Sequence, residues 1–177
     1  MSDYRLVIGN KNYSSWSLRP WLAMKQSGIP FEEVRIPLYG PDSKRRLAEV
    51  SPSAKVPALV DGDVTVWDSL AICEYLAERH AGMWPSDAKV RAVARSMSAE
   101  MHSGFTRLRD NMSMNIRKNY AGMGVGPGVQ QDIARIFAMW TDSRNRFGAA
   151  GPFLCGRFSI ADAEVEAETI PDADFYG

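Results

Sequence analysis

The chain has 177 residues, 45% of them hydrophobic and 24% charged, which is the composition of a globular protein that can bury a core as one domain or two. Its 21 basic residues balance its 21 acidic residues, and this net charge of zero argues against a broad surface for nucleic acid. No apolar run approaches the roughly 18 residues that cross a membrane, and the N-terminus has no signal-peptide pattern. We therefore predict a cytoplasmic protein without nucleic-acid or membrane partners.

The cysteines and histidines do not form a chemical cluster in the sequence. Cys73 and Cys155 lie far apart and outside any Cys-x-x-Cys pair, so we predict buried thiols in a reducing compartment. His80 and His102 are isolated, without partners at the spacing of metal ligands. No metal site is predicted.

The N-terminal segment is typical of a strand, a polar loop and a helix. Residues 4–8 form a short apolar run, residues 9–17 are polar, and an amphipathic helix follows that ends near Gly28. Several serine hydroxyls therefore stand where helical N–H groups point outward. There they can cap the helix or bind an anion, and the pattern alone leaves both roles open.

The next segments predict two more strand regions. Residues 31–38 alternate between apolar and charged side chains, and the basic stretch 39–48 predicts a short surface helix. Residues 58–60 and 64–67 are apolar runs joined by Asp61-Gly62-Asp63, which is a hairpin signal. These elements predict a sheet built from the first strand, the alternating strand and the hairpin.

An apolar helix follows the hairpin, and either Asp68 or Ser69 is in position to cap it. The order of elements over residues 1–81 predicts a mixed four-stranded sheet of the thioredoxin-like kind. Pro57 opens the third strand beside the polar loop. If the bond between Val56 and Pro57 is cis, the Val56 backbone turns toward that loop, where it can pair with a peptide-like ligand.

An all-α domain is predicted over residues 88–177, after a linker over residues 80–87. Apolar residues at helical spacing predict one long helix over 88–119 and a second over 129–147. Four residues of the second helix are expected to face inward, namely Ile133, Ile136, Phe137 and Trp140. The glycines of 122–128 follow a helix rather than a strand, so we interpret them as an interhelical loop and not as a phosphate cradle.

Four motifs follow one another along the chain, namely Ser14-Ser15-Trp16-Ser17-Leu18-Arg19, Lys55-Val56-Pro57, Asp68-Ser69 before Ala71-Ile72, and Phe158-Ser159-Ile160-Ala161-Asp162. With them the chain resembles the soluble glutathione S-transferases, and within these a bacterial group similar to the zeta-type enzymes. The resemblance implies a homodimeric detoxification enzyme that conjugates glutathione, its co-substrate, to a small hydrophobic electrophile.

The resemblance also implies roles for single residues at the start of the first helix. The family's catalytic hydroxyl sits at the first serine of its motif, so Ser14 is expected to stabilise the glutathione thiolate, with Ser15 as the alternative. In zeta-type maleylacetoacetate isomerases a cysteine follows the paired serines, whereas this chain has Trp16. That difference argues against isomerase activity and leaves Trp16 either as a packing residue or as a contact to the electrophile.

Further glutathione contacts are implied around the third strand and the third helix. Val56 would pair through its backbone with the cysteinyl part, and Lys55 lies where the family often has a glutamine that contacts the tripeptide. Asp68 and Ser69 would hold the γ-glutamyl end, Ser69 binding its carboxylate and Asp68 facing its ammonium group.

An electrophile pocket would involve Met101, Phe105 and Met112, although their helical spacing favours a core between helices. Its position would be between the serine loop and the start of the long helix.

The end of the chain departs from the family pattern. Ser159 and Asp162 match an N-terminal capping box, after which members continue with an apolar helix and further helices. Here alternating glutamates follow from Glu164, and we expect them to fray or stay on the surface because buried unpaired charge is costly. The chain thus resembles a member truncated or atypical after about residue 163. A non-catalytic glutathione-binding or interaction module is the alternative function. A glutaredoxin-like redox enzyme would need a cysteine where the first turn has only serines.

Overall fold

The computed structural model describes residues 4–166. The chain divides into two compact units, one that runs to Met83 and one that begins at Trp84. The first combines a β-sheet with helices, and the second is helical. Within the described residues, no helix is both long and apolar enough to cross a membrane.

A four-stranded mixed sheet forms the centre of the first unit, as the sequence predicts. Its strands are β1 (Tyr4–Ile8), β2 (Glu32–Arg35), β3 (Ala58–Asp61) and β4 (Val64–Trp67). The spatial order is β2-β1-β3-β4, in which β1 and β2 are parallel and the other pairs are antiparallel. The thioredoxin-like prediction for this unit is confirmed.

Three helices complete the first unit, namely α1 (Ser15–Gln26), α2 (Ser43–Val50) and α3 (Ser69–Ala77). Helices α1 and α3 pack together and bury apolar side chains with the sheet, including Leu6, Leu18, Leu59, Ile72 and Leu76 at 0% exposure. Each such side chain contributes about 1.5–3 kcal/mol by leaving water. This core holds the strand ends in fixed positions.

Helix α1 begins earlier than the sequence predicts. The polar loop was expected to extend through Ser17, but Ser14 is the N-cap and Ser15 is already helical. The reason is that the side chain of Ser14 accepts the N–H of Ser17, which satisfies one of the free donors of the first turn. Ser17 therefore lies within the first turn and not in the loop.

The second unit contains α4 (Ala88–Ser103), α5 (Thr106–Asn111), α6 (Pro127–Phe147) and α7 (Ile160–Glu166). The second predicted helix corresponds to α6, which starts two residues earlier and so includes Gly128. Helix α7 packs along α4, and α5 packs along α6.

The single long helix predicted over residues 88–119 is wrong. Helix α4 ends at Ser103, because Gly104 has an extended backbone and Phe105 a left-handed φ of 59°. A Cβ at Gly104 would lie 2.7 Å from the Glu100 carbonyl oxygen, so glycine suits this position. The side chain of Arg109 donates to the carbonyl oxygens of Met101 and Gly104, which satisfies acceptors at this helix end. These tertiary hydrogen bonds stabilise the break between α4 and α5, which the helical spacing of apolar residues does not reveal.

Phe137 does not face inward as predicted, since 59% of it is exposed. The buried stripe of α6 consists of Val129, Ile136, Met139 and Ser143. Phe137 follows Ile136 by one residue and is therefore rotated by about 100° away from the stripe. Its ring instead contacts Trp140 edge to face, with centroids 5.7 Å apart.

The acidic segment after Asp162 begins inside the protein and not on its surface. Helix α7 continues through Glu166, and Glu164 and Val165 are 0% and 1% exposed. Packing of α7 along α4 therefore overrides the expectation drawn from charge alone. The rest of the predicted acidic tail, residues 167–177, lies outside the described residues.

Candidate functional site

Three loops meet at one end of the sheet in the first unit. Ala58 pairs with Val7 on one side and with Trp67 on the other. The serine loop after β1, the segment before β3 and the start of α3 after β4 therefore leave the sheet at the same end. Neighbouring strands are about 4.8 Å apart, so this row spans about 10 Å, which is the length of an extended tripeptide.

The loop before α1 is fixed by Asn10. Its carbonyl oxygen accepts the N–H groups of Tyr13 at 3.0 Å and Ser14 at 2.9 Å. Its side-chain oxygen accepts the N–H of Leu38 at 2.8 Å, which ties the loop to the segment after β2. Gly9 lies so close to Leu38 that a Cβ would be 2.8 Å from Cδ1, so only glycine fits there without a shift.

Ser14 and Ser17 form a buried hydroxyl pair at the start of α1. Ser14 Oγ donates to Ser17 Oγ at 2.8 Å, and the Ser17 N–H donates back to Ser14 Oγ at 3.4 Å. Ser17 Oγ also accepts the N–H of Gly9 at 3.0 Å. The two serines are only 6% and 2% exposed. Ser14 is thus a helix cap whose hydroxyl already has an acceptor.

Ser15 has a different environment from Ser14. It is the first residue of α1 and is half-buried. Within residues 4–166 its hydroxyl forms no hydrogen bond. The first turn of α1 contains no acidic side chain, so the positive end of the helix dipole is not neutralised by the helix itself. Both candidate serines therefore lie at the positive end of the α1 dipole.

Trp16 and Arg19 stack on the same side of α1. The Arg19 guanidinium carbon lies 4.1 Å from the Trp16 ring centroid, and Arg19 is 0% exposed. Trp16 itself is half-buried. The indole ring is therefore held by a cation–π contact in the first turn.

The bond between Val56 and Pro57, before β3, is cis, which is the condition under which the Val56 backbone was expected to turn toward the serine loop. Val56 is half-buried and Lys55 is exposed, next to the sheet end that Ala58 marks. The expected backbone pairing of Val56 and the expected contact of Lys55 with glutathione stay predictions.

Asp68 and Ser69 form the start of α3 after β4. Asp68 has a φ of 73°, unusual for a residue with a side chain, and its Oδ1 accepts the N–H of Leu70 at 3.0 Å. Asp68 is therefore the N-cap. Ser69 is 1% exposed, and its Oγ has no hydrogen-bond partner within the described residues. Because buried hydroxyls are almost always paired, the Ser69 hydroxyl is a candidate contact for a ligand group.

The residues proposed for an electrophile pocket separate into two kinds within the second unit. Met101 and Phe105 are buried in its core, at 0% and 9% exposure, whereas Met112 is 38% exposed. Met101 and Phe105 thus have the packing role that their helical spacing favours.

The thiols do not resemble reactive cysteines. Cys73 is buried in α3, and Cys155 is half-buried with Sγ 3.7 Å from Ser143 Oγ. Burial raises the pKa of the Cys155 thiol. A raised pKa disfavours the thiolate that redox chemistry needs.

Ser17 is the member of the hydroxyl pair that the sequence pattern does not single out. It stands in the motif without a role of its own, although its spacing of three residues from Ser14 is the spacing of a cap and its N3 partner.

Comparison with known proteins finds relatives among the glutathione S-transferases and maleylacetoacetate isomerases. A family model for the glutathione S-transferase N-terminal domain matches residues 13–79. A probable maleylacetoacetate isomerase of Caenorhabditis elegans is 35% identical over 70% of this chain and 59% of its own length. A zeta-class glutathione S-transferase of Euphorbia esula is 30% identical over 88% of this chain and 70% of its own length. The chain thus spans well under two thirds of the worm protein.

The fold also has solved counterparts. A glutathione transferase homologue from Burkholderia, whose crystal structure contains bound glutathione, matches with a TM-score of 0.66 and 24% identity. The match covers 93% of this chain and 79% of that chain. Together with the extensive match to the zeta-class enzyme, these similarities show that the chain belongs to the glutathione S-transferase family.

Proposed function

We propose that the chain binds glutathione at the sheet end marked by Ala58 and conjugates its thiolate to small hydrophobic electrophiles. The observation that carries this proposal is the buried Ser69 hydroxyl, which has no partner within residues 4–166. It stands at the start of α3, in the same row of strands as the serine loop. A carboxylate placed there would accept the hydroxyl and meet the positive end of the helix.

The tripeptide would lie across the row of strand ends. Its γ-glutamyl carboxylate would bind Ser69, and its ammonium group would face the exposed carboxylate of Asp68. Its cysteinyl part would pair with the Val56 backbone, as added strands do in peptide recognition. Lys55 would reach the tripeptide from the exposed side. The sulfur would then lie at the start of α1.

The chemical task of α1 is to hold glutathione as its thiolate. A free thiol has a pKa of about 8.5, and lowering it by two units requires roughly 2.7 kcal/mol of differential stabilisation. The helix N-terminus and one hydroxyl donor supply stabilisation of this kind. The thiol proton leaves to solvent, the sulfur forms a bond to carbon, and the leaving group departs with its electron pair.

Ser14 is the proposed hydroxyl donor, and Ser15 is the alternative. Ser14 reaches the sulfur by turning its proton away from Ser17, whereas Ser15 has no competing acceptor within the described residues. The pKa of bound glutathione, read from thiolate absorbance in Ser14→Ala and Ser15→Ala, identifies the donor. If neither substitution raises this pKa, the serine mechanism is wrong.

Conjugation is proposed here rather than the isomerisation named for the worm relative. Trp16 stands where zeta-type isomerases have cysteine, and its ring is occupied by the Arg19 stack. The proposed enzyme is a cytoplasmic homodimer with a detoxifying role, as the family resemblance implies.

The decisive experiment measures glutathione affinity by calorimetry. Ser69→Ala should raise the Kd about tenfold, because the ligand carboxylate loses a charge-assisted hydrogen bond. Ser98→Ala is the matched control, since Ser98 is equally buried but donates to Ala94 O within its own helix. An unchanged Kd in Ser69→Ala would remove this site. Binding without turnover of an aryl halide such as 1-chloro-2,4-dinitrobenzene would favour the alternative, a non-catalytic binding module.

A further inference from the structure

Ser17 is the inner member of the hydroxyl pair at the start of α1. Its Oγ accepts the Gly9 N–H at 3.0 Å and lies 2.8 Å from Ser14 Oγ. A hydroxyl has one proton and two lone pairs. Both lone pairs of Ser17 are used in this arrangement, and within residues 4–166 no hydrogen bond uses its proton. The Ser17 O–H group is therefore available to donate a hydrogen bond, and it lies next to Ser14 Oγ.

We propose that Ser17 is a positioning residue that aims the hydroxyl of Ser14 at the glutathione sulfur. When the thiolate binds, the hydrogen bond between the two serines reverses. Ser17 then donates to Ser14, and Ser14 donates to the sulfur. This inference rests on the proposed function with Ser14 as the donor.

The reversal turns both hydroxyl protons about their Cβ–Oγ bonds and adjusts the Ser17 side chain, because the structure has the donor geometry from Ser14 to Ser17. The oxygens keep their 2.8 Å separation, and the Gly9 N–H still donates to Ser17. A thiolate has no proton to give, so it favours the orientation in which Ser14 points toward it. A chain of hydrogen bonds polarises its members, so the donation from Ser17 strengthens the bond from Ser14 to the sulfur.

The charged groups near this turn do not change with Ser17. Lys11 of the loop forms an ion pair with Glu33 of β2 at 3.0 Å, and Arg19 stacks on Trp16. The first turn of α1 has no acidic side chain. Removing the neutral hydroxyl of Ser17 thus changes the hydrogen bonding of the site and leaves its charge as it was.

The test is a titration of the thiolate absorbance of bound glutathione. In Ser17→Ala the thiol pKa should rise by about one unit relative to wild type, because the hydrogen bond from Ser14 to the anion weakens. Ser17→Thr and Ser17→Val form a matched pair with the same shape, and only the Val variant should show the rise. The Val variant also keeps the test decisive if Ser17→Ala does not fold. Ser98→Ala should leave the pKa unchanged.

The pKa of the double variant distinguishes a Ser17 that acts through Ser14 from a Ser17 that donates to the sulfur by itself. Because Ser17 acts through Ser14, the double variant Ser14→Ala with Ser17→Ala should raise the pKa no further than Ser14→Ala alone. A lower thiol pKa in the variants without the Ser17 hydroxyl would mean that Ser17 holds the proton of Ser14 back, which overturns the proposal. An unchanged pKa overturns it as well. If wild-type protein does not bind glutathione, or does not lower its thiol pKa, the proposed function itself fails.

Discussion

The carboxylate of Asp162 accepts both the backbone N–H of Ser159, at 2.8 Å, and its hydroxyl, at 3.0 Å. The second oxygen of Asp162 accepts the N–H of Leu154 at 2.8 Å. One side chain thus fixes the start of α7 and the turn that precedes it. This geometry shows the half of the predicted capping box in which Asp162 accepts the Ser159 N–H, whereas the Ser159 hydroxyl donates to the same carboxylate and the Asp162 N–H donates to the Ser159 carbonyl oxygen.

Replacing Asp162 by alanine should lower the free energy of unfolding by about 2–4 kcal/mol, because the N–H groups of Leu154 and Ser159 lose their buried acceptor. Urea denaturation of the full chain, followed by circular dichroism, measures this loss. Asp142→Ala is the control, because Asp142 forms an exposed ion pair with Arg146 at 2.8 Å. That substitution should change stability by less than about 0.5 kcal/mol. Equal losses in the two variants would refute the role given to Asp162.

The stability contributed by Asp162 should fall as pH rises through the acidic range. Burial raises the pKa of this carboxyl above its ordinary value, although its hydrogen bonds oppose the shift. The folded state therefore binds the proton more tightly than the unfolded state does. By linkage, the contribution is fully present below the unfolded pKa of about 3.9 and is lost as pH passes the folded pKa.

Asp162→Asn isolates this effect from other carboxyl groups. Hydrogen bonding lowers the pKa values of Asp87 and Glu100, so these groups give the opposite slope. Asp87 and Glu100 are present in both proteins, so their contributions cancel when the unfolding free energy of Asp162→Asn is subtracted from that of the wild type. The unfolding free energy of wild type minus that of Asp162→Asn should decrease as pH rises above the unfolded carboxyl pKa of about 3.9. A difference that stays constant or increases would contradict the raised pKa.

The first unit could be predicted well because its signals are local. The Asp-Gly turn after Asp61, the proline at 57 and the cap at Asp68 each act over a few residues. Alternation and turn chemistry then fix which strands pair. The sequence could not show that Ser14 alone is the cap or that Ser69 is left without a partner in residues 4–166, because both depend on how α1 and α3 pack.

The second unit was less predictable because tertiary contacts override its spacing. The break at Phe105 depends on a side chain from α5, Arg109, that reaches back to the end of α4. Glu164 is buried because α7 packs along α4, whereas its charge alone indicates the surface. Helical periodicity carries no information about either event.

The ion pair between Glu100 of α4 and Arg135 of α6 should couple these helices modestly. Its two hydrogen bonds, at 2.6 and 2.8 Å, form a fork geometry, but both side chains are more than one third exposed. A double-mutant cycle with Glu100→Gln and Arg135→Gln should give about 0.5–1 kcal/mol at low salt. The coupling should shrink toward zero in 1 M salt, where the screening length is about 3 Å. A coupling that persists in high salt would point to packing instead of charge.

Substitutions of the two adjacent serines should separate capping from chemistry. Ser14→Ala should lower the free energy of unfolding by about 1 kcal/mol, because the Ser17 N–H loses its side-chain acceptor at the helix start. Ser15→Ala should change it by less than about 0.5 kcal/mol, since the Ser15 hydroxyl makes no hydrogen bond within residues 4–166 and alanine is favourable inside a helix. Chemical denaturation without glutathione checks both values on the unliganded protein. Stability losses in the reverse order would show that α1 is capped by Ser15, and the Ser14–Ser17 pair would then lose its structural basis.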